Sequence, residues 1–286
     1  NDAEFFFTVP SNFHMRLNTT GGDITITDKI IGRVSINSSG GDITTQDIQG
    51  TLSIKTMGGD VTLGNINGEL NVSTHGGDIK VGKVTGESAS VTTMGGDIIV
   101  NNTEGEFTAT TYGGDIKIGD VGGNATAVTY GGEIWLGNVS GSVTMETYGG
   151  DLSLESAHGS VNADTKGGDI NLKNITGSVE AYTAGGDVSI ELTPSESGKS
   201  VIKSSGGYIE LILPENAKVD IEAEIRLHGS AGREKGKYTI SSDFLNLDSD
   251  ISEDGKWIRL NYTLNGGGHK INIRTTMSDI KIIKQK

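Results

Sequence analysis

The side chains with the clearest capacity for chemistry recur at fixed intervals. An acid follows a Gly-Gly pair at Asp23, Asp42, Asp60, Asp78, Asp97, Asp115, Glu133, Asp151, Asp169 and Asp187, always 18 or 19 residues apart. If such acids stack about 5 Å apart, neighbours repel by about 1 kcal/mol in water and by more at lower dielectric. Something must offset that repulsion. Backbone N–H groups donated within the Gly corner are one answer, because Asp commonly accepts them in turns. Ca2+ bridging the ladder is the other, because carboxylate oxygens are its ligands; the candidate stretch is Asp78, Asp97, Asp115, Glu133 and Asp151. The nonapeptide Ca2+ repeat adds a Gly-x-Asp that is missing here, and the longer Glu133 would disturb a tight metal site. Structural turns are the preferred reading, and no other metal or cofactor is expected.

A second row precedes each Gly-Gly pair: Thr20, Ser39, Met57, His75, Met94, Tyr112, Tyr130, Tyr148, Lys166 and Ala184. Its parity is outward, because Thr147 beside Tyr148 shares the inward parity of Val143 and Met145. Tyr112, Tyr130 and Tyr148 are therefore expected as an exposed stack, with Trp135 outward between Ile134 and Leu136. Exposed aromatics suit a glycan or a partner protein, since they present rigid faces with polar edges. They also serve as pairs that hold neighbouring strands together. The inward row Ser38, Thr56, Thr74, Thr93, Thr111, Thr129, Thr147, Thr165 and Thr183 is expected to be structural, its hydroxyls bonding along the stack. An ice-binding face would need a regular outward Thr row, and Lys55, Ser73, Thr92, Thr110, Val128, Glu146, Asp164 and Tyr182 is not one. Glu146 and Asp164 form a carboxylate pair one repeat apart, but a flat solvated face would neither raise one pKa nor enclose a sugar for hydrolysis. The five His share no ligand spacing, and no phosphate-loop pattern is present. The chain is read as non-catalytic.

The elements that must position these rows follow from the repeat itself. Between the acids runs a second Gly row, Gly32, Gly50, Gly68, Gly86, Gly105, Gly123, Gly141, Gly159 and Gly177. Each unit is thus two arms with a Gly corner at each end. Apolar residues keep a period of two along both arms, the strand signature. One such unit buries too little apolar surface to hold its chain, and stacking on its copies supplies the missing contacts. The predicted fold is all-β: a single-stranded parallel β-helix, or β-solenoid, with coils of about 18 residues and right-handed by preference.

Composition agrees. Gly is 44 of 286 residues while Pro is 3, which excludes collagen and argues against a disordered linker. The net charge of −14 disfavours nucleic acid as a partner. No run of 18 apolar residues is present, so no transmembrane segment is expected, and the absence of Cys removes disulfides and thiolate metal sites. No signal peptide is visible; a chain that starts at Asn1 is expected to have been trimmed, which leaves open that one was lost.

Three regions are expected: an N-terminal cap and first strand over 1–20, the regular solenoid over 21–213, and degenerate final coils with a cap over 214–286. Phe5, Phe6 and Phe7 are expected to cover the first open edge. Thr275 to Ile282 echoes the repeat and is expected as the last coil. Its charged end, Lys281 to Lys286, would then discourage end-to-end stacking. The repeated Gly-Gly-Asp-Ile units resemble the bacterial adhesin family of β-solenoids, a domain of unknown function. Leu211-Ile212-Leu213-Pro214-Glu215-Asn216-Ala217 and Asp279-Ile280-Lys281-Ile282 carry the same resemblance. It implies a secreted, periplasmic or cell-surface protein that does not catalyse; the outward aromatics point to a glycan or an envelope protein as partner, and a monomer is expected. The alternatives are a self-assembling scaffold of the bactofilin kind and a polysaccharide-degrading β-helix enzyme.

Overall fold

The computed structural model describes residues 5–228, 237–244, 250–252 and 255–285. Among them no residue is helical, and the strands form two large sheets stacked into a β-solenoid of about 11 turns. One sheet collects the arms that follow each acid, such as Ile116–Ile118, Ile134–Val139 and Leu152–Ala157. The other collects the arms that follow the second Gly, such as Ala125–Val128, Val143–Glu146 and Val161–Asp164.

Pairing is parallel and in register across the repeat. Ile134 sits beside Ile116 and Leu152, and Met145 sits beside Ala127 and Ala163. The period-two rows turn inward as parity requires, and Ile134, Leu136, Val143 and Met145 are buried. Sizes are complementary: Ala109, Ala127, Ala163 and Ala181 share the interior with Ile118, Leu136, Leu172 and Ile190. Small residues in one sheet thus make room for branched ones in the other, and the coil stays thin.

The first arm carries one feature beyond the two-arm reading. It bends before the second Gly corner and sends a third apolar row inward: Ile48, Ile66, Val84, Val121, Val139, Ala157 and Ile175. In the early coils this row forms short strands of its own, Ile30–Ile31, Ile48–Gln49 and Ile66–Asn67.

The stack itself dictates Gly at the main corner. A Cβ on Gly114 would lie 2.2 Å from the Gly96 carbonyl oxygen of the preceding coil. Gly59 meets the same obstacle and also sits at φ +84°, in the left-handed region. The first Gly of the pair is less constrained, and a Cβ on Gly58 would meet nothing within 4 Å.

The two ends differ from expectation. Phe5, Phe6 and Phe7 are 76, 85 and 80% exposed and cover no edge. Residues 11–13 reach the first coil instead, through an Asn12–Ile31 bridge and bonds between Phe13 N–H and Ile31 C=O and between Ile31 N–H and Ser11 C=O. At the other end, the last coil in sequence is not the last in space. His269–Thr276 lies between Gly198–Ser204 and Val219–Arg226, parallel to both. Ile280–Lys284 likewise lies between Ile209–Leu213 and Ile240–Ser242. Ile271, Ile273, Ile280 and Ile282 are fully buried. Residues 281–284 therefore form no charged outer edge; of the expected edge, Lys286 lies outside the described residues. The sheet is finished by Trp257–Leu264, antiparallel to Val219–Arg226, and then by Asp250–Ile251.

Candidate functional site

The Gly corner sets the aromatic row. Each inward Thr anchors the turn just before it: Thr111, Thr129 and Thr147 donate to the carbonyls of Gly96, Gly114 and Gly132, each at 2.9 Å. The expected bonding along the stack is present, with the carbonyl of the preceding coil as acceptor. From Ser38 to Thr74 the hydroxyl instead donates within its own turn, as Ser38 does to Gly40. With Thr inward, the next residue points out. Tyr112, Tyr130 and Tyr148 stack there with centroids 4.8 and 5.2 Å apart and ring planes within 4–5° of parallel. They are 49, 46 and 59% exposed.

The geometry decides what this row can offer. Each ring covers its neighbour's face, and the Lys166 ammonium sits 5.9 Å from the last ring, that of Tyr148. What remains outward is a line of ring edges and phenol oxygens, spaced by the coil repeat. Such a line contacts a partner laterally and does not clamp a single sugar between faces. Trp135 lies on the outer face of the other sheet, half-buried, with Lys117 Nζ 5.5 Å from its ring. Among the described residues no ring contact joins it to the Tyr row.

The acid row forms a ladder of its own. Asp97 Oδ1 accepts the N–H of Asp115, and Asp115 Oδ1 that of Glu133, both at 2.8 Å. Asp78 serves Asp97 at 3.0 Å, and Asp151 serves Asp169 at 2.7 Å. Glu133 makes no equivalent bond to Asp151, since its extra methylene carries the carboxylate past that N–H. One oxygen per Asp is thus committed to backbone. Among the described residues no group of three or more His, Asp or Glu converges on a common point.

The other candidates separate. Glu146 and Asp164 are register neighbours on an open strand face, and Asp164 pairs with Lys166 at 3.5 Å. His14 accepts the Arg33 N–H through Nδ1, whereas His269 is fully buried. Ser195 Oγ donates to the Ser197 carbonyl, so it must accept from His269 Nδ1–H at 3.2 Å. Ser200 Oγ accepts the Val179 N–H, which leaves its proton for His269 Nε2 at 2.8 Å. The ring is thereby held neutral as one tautomer, and burial lowers its pKa below 6.5. This is a clasp for the inserted coil.

Two features had no counterpart in the sequence reading. An open groove of about 340 Å3 runs over the outer face of the second sheet, lined by Glu69, Asn71, Ser88, Ser90, Glu106 and Thr108. The extra residue between Gly86 and Ala89 marked its place, since Ala89 pairs with Leu70 one position late. The second is a cluster of Arg226, Arg259 and Arg274 around Trp257 at the C-terminal end. Outward parity was its only signal.

Stacked parallel coils, Gly corners and outer ladders define a β-solenoid repeat protein. The Toastrack DUF4097 family matches residues 4–128 and 123–283, so the chain belongs to that family, a domain of unknown function. An adhesin label is no part of that match. No curated protein and no solved structure matches the chain.

Proposed function

We propose that this protein is a non-catalytic solenoid, secreted or attached at the bacterial cell surface, that binds a glycan or a partner protein along its outer aromatic row. The supporting observation is the column Tyr112, Tyr130 and Tyr148, half exposed in a row otherwise made of short, polar or flexible residues. Recognition runs along the rod axis through phenol edges, which favours an extended partner over a single small ligand. The non-catalytic reading is supported by the open setting of Glu146 and Asp164 on a solvated strand face.

Retention on immobilised polysaccharides and envelope polymers tests this reading. The parent is expected to be retained and the triple Tyr→Ala variant lost. The triple Tyr→Phe variant, which keeps the stack and removes the hydroxyls, is expected to lose most of the retention. Retention of the parent and both variants would move the site elsewhere, and retention of none would end the proposal.

One observation favours a second reading, self-assembly as a scaffold. Strand Met15–Thr19 ends its sheet, and Phe5, Phe6 and Phe7 of the same end stand exposed. Unpaired edges next to apolar side chains invite association. A concentration series in light scattering separates the two: growth into linear particles supports the scaffold, and constant mass supports the binding module.

A further inference from the structure

The C-terminal end holds a surface opposite in charge to the rest of the molecule. Only six Arg occur in this chain of net charge −14, and three of them meet on one face. The register explains why. Glu224 pairs laterally with Arg259 on one side and Arg274 on the other, and Arg226 pairs with Trp257. All five have outward parity. The Arg226, Arg259 and Arg274 guanidinium carbons lie 5.8, 5.5 and 5.3 Å from the Trp257 ring centroid.

Glu224 is the base of this arrangement. Although outward in parity it is only 6% exposed, because the cationic and indole side chains roof it over. Arg259 Nε donates to its Oε1 at 2.8 Å, and Arg274 donates to its Oε2 through Nε at 2.9 Å and through Nη2. One carboxylate thus holds two of the three guanidiniums, and the third, that of Arg226, lies against Trp257. Arg259 spends only its Nε on Glu224, and Arg226 has no acidic partner among the described residues. Among the described residues only Glu224 forms an ion pair with this cluster, so guanidiniums outnumber the paired carboxylate beside an aromatic surface.

We propose that this face binds the carboxylate of an acidic sugar residue, a uronate within a glycan. The planar guanidinium fork fits a carboxylate in two-point contact. The adjoining indole, partly exposed among the guanidiniums, offers an apolar contact for the sugar ring beside the carboxylate. The chain's net charge of −14 repels a long polyanion from the rest of the surface, so binding is confined to this end. The site lies six strand spacings from the strand that leads into Tyr148, roughly 29 Å. It stands or falls independently of the Tyr row.

The test uses the full chain carrying Trp135→Phe, which leaves Trp257 as its only indole. Its fluorescence is followed against oligogalacturonate, a neutral oligogalactoside and inorganic phosphate. The expected result is a saturable change with the oligogalacturonate alone, weakened by added salt. Affinity should fall about tenfold or more in Arg226→Gln, and less in Arg226→Lys, which keeps the charge and loses the fork. Thermal melting of both variants checks that the end coils remain folded. The proposal is overturned if no saturable change occurs up to about 10 mM, if the neutral oligomer or phosphate acts equally well, or if a folded Arg226→Gln binds like the parent.

Discussion

In the repeat, each coil packs between the coils made immediately before and after it, so order in the chain is order in space. At the C-terminal end, the coil of residues 269–284 enters between the strands of 198–213 and those of 219–226 and 240–242. The regular region needs only local information to extend: an inward row, a Gly corner and an acid to cap the next turn. The end needs the chain to return across some forty residues. Regularity makes a rod that can grow at any point, and the inserted coil makes one that finishes in a single place.

Deleting residues 269–286 is the strongest way to break this comparison. It removes four buried Ile side chains, roughly 6–12 kcal/mol of burial, and strips pairing from Val219–Arg226. Hydrogen exchange should show loss of protection from about residue 198 onward, with the coils before residue 180 retained. Uniform loss would mean that the rod depends on its end.

Within the repeat, Gly114→Ala forces a Cβ to 2.2 Å from a backbone oxygen and should cost about 3 kcal/mol in denaturant unfolding. Gly58→Ala, with open space, should stay within about 0.5 kcal/mol. Equal costs would show that the stack is not what selects Gly.

The clasp at His269 gives the end a pH dependence of its own. Its folded pKa lies below 6.5, so on acidification the unfolded chain takes the proton first. Stability is therefore full above about pH 6.5 and falls as pH drops toward the folded pKa, by at most about 1.4 kcal/mol per pH unit. His269→Gln should abolish that slope in melts between pH 5 and pH 7.5, and a slope that survives would assign it to another group.

The smallest effect sharpens the picture of the acid ladder. Glu133→Asp should supply the missing acceptor for the Asp151 N–H and add about 0.5–1 kcal/mol. A neutral or negative result would mean that carboxylate repulsion outweighs the bond.

Much of the regular region could be read from residue order. Ile24, Ile43 and Val61 announce a row, and a row at period 18 fixes both the strand and its neighbour. The third inward row was harder to see, because Gly64, Gly82, Gly119 and Gly137 interrupt the alternation where the arm bends. The echo of the repeat over Thr275 to Ile282 marked a coil there, but such an echo carries no label for the strand beside it. Hence the order of the last coils, and the meeting of Arg226, Arg259 and Arg274, emerge only from pairings across tens of residues. The Tyr stack was visible as spacing, yet the loss of its ring faces is a property of distance and tilt.

The inserted coil also governs how the molecule bears load. A pull on residue 5 meets the first coil, bound to neighbours on one side only, and can peel it strand by strand. Tension at residue 285 enters a strand paired along both flanks, so two ladders must shear together before anything yields. The rod is mechanically one-way: it unravels readily from its first coil and grips firmly at its last.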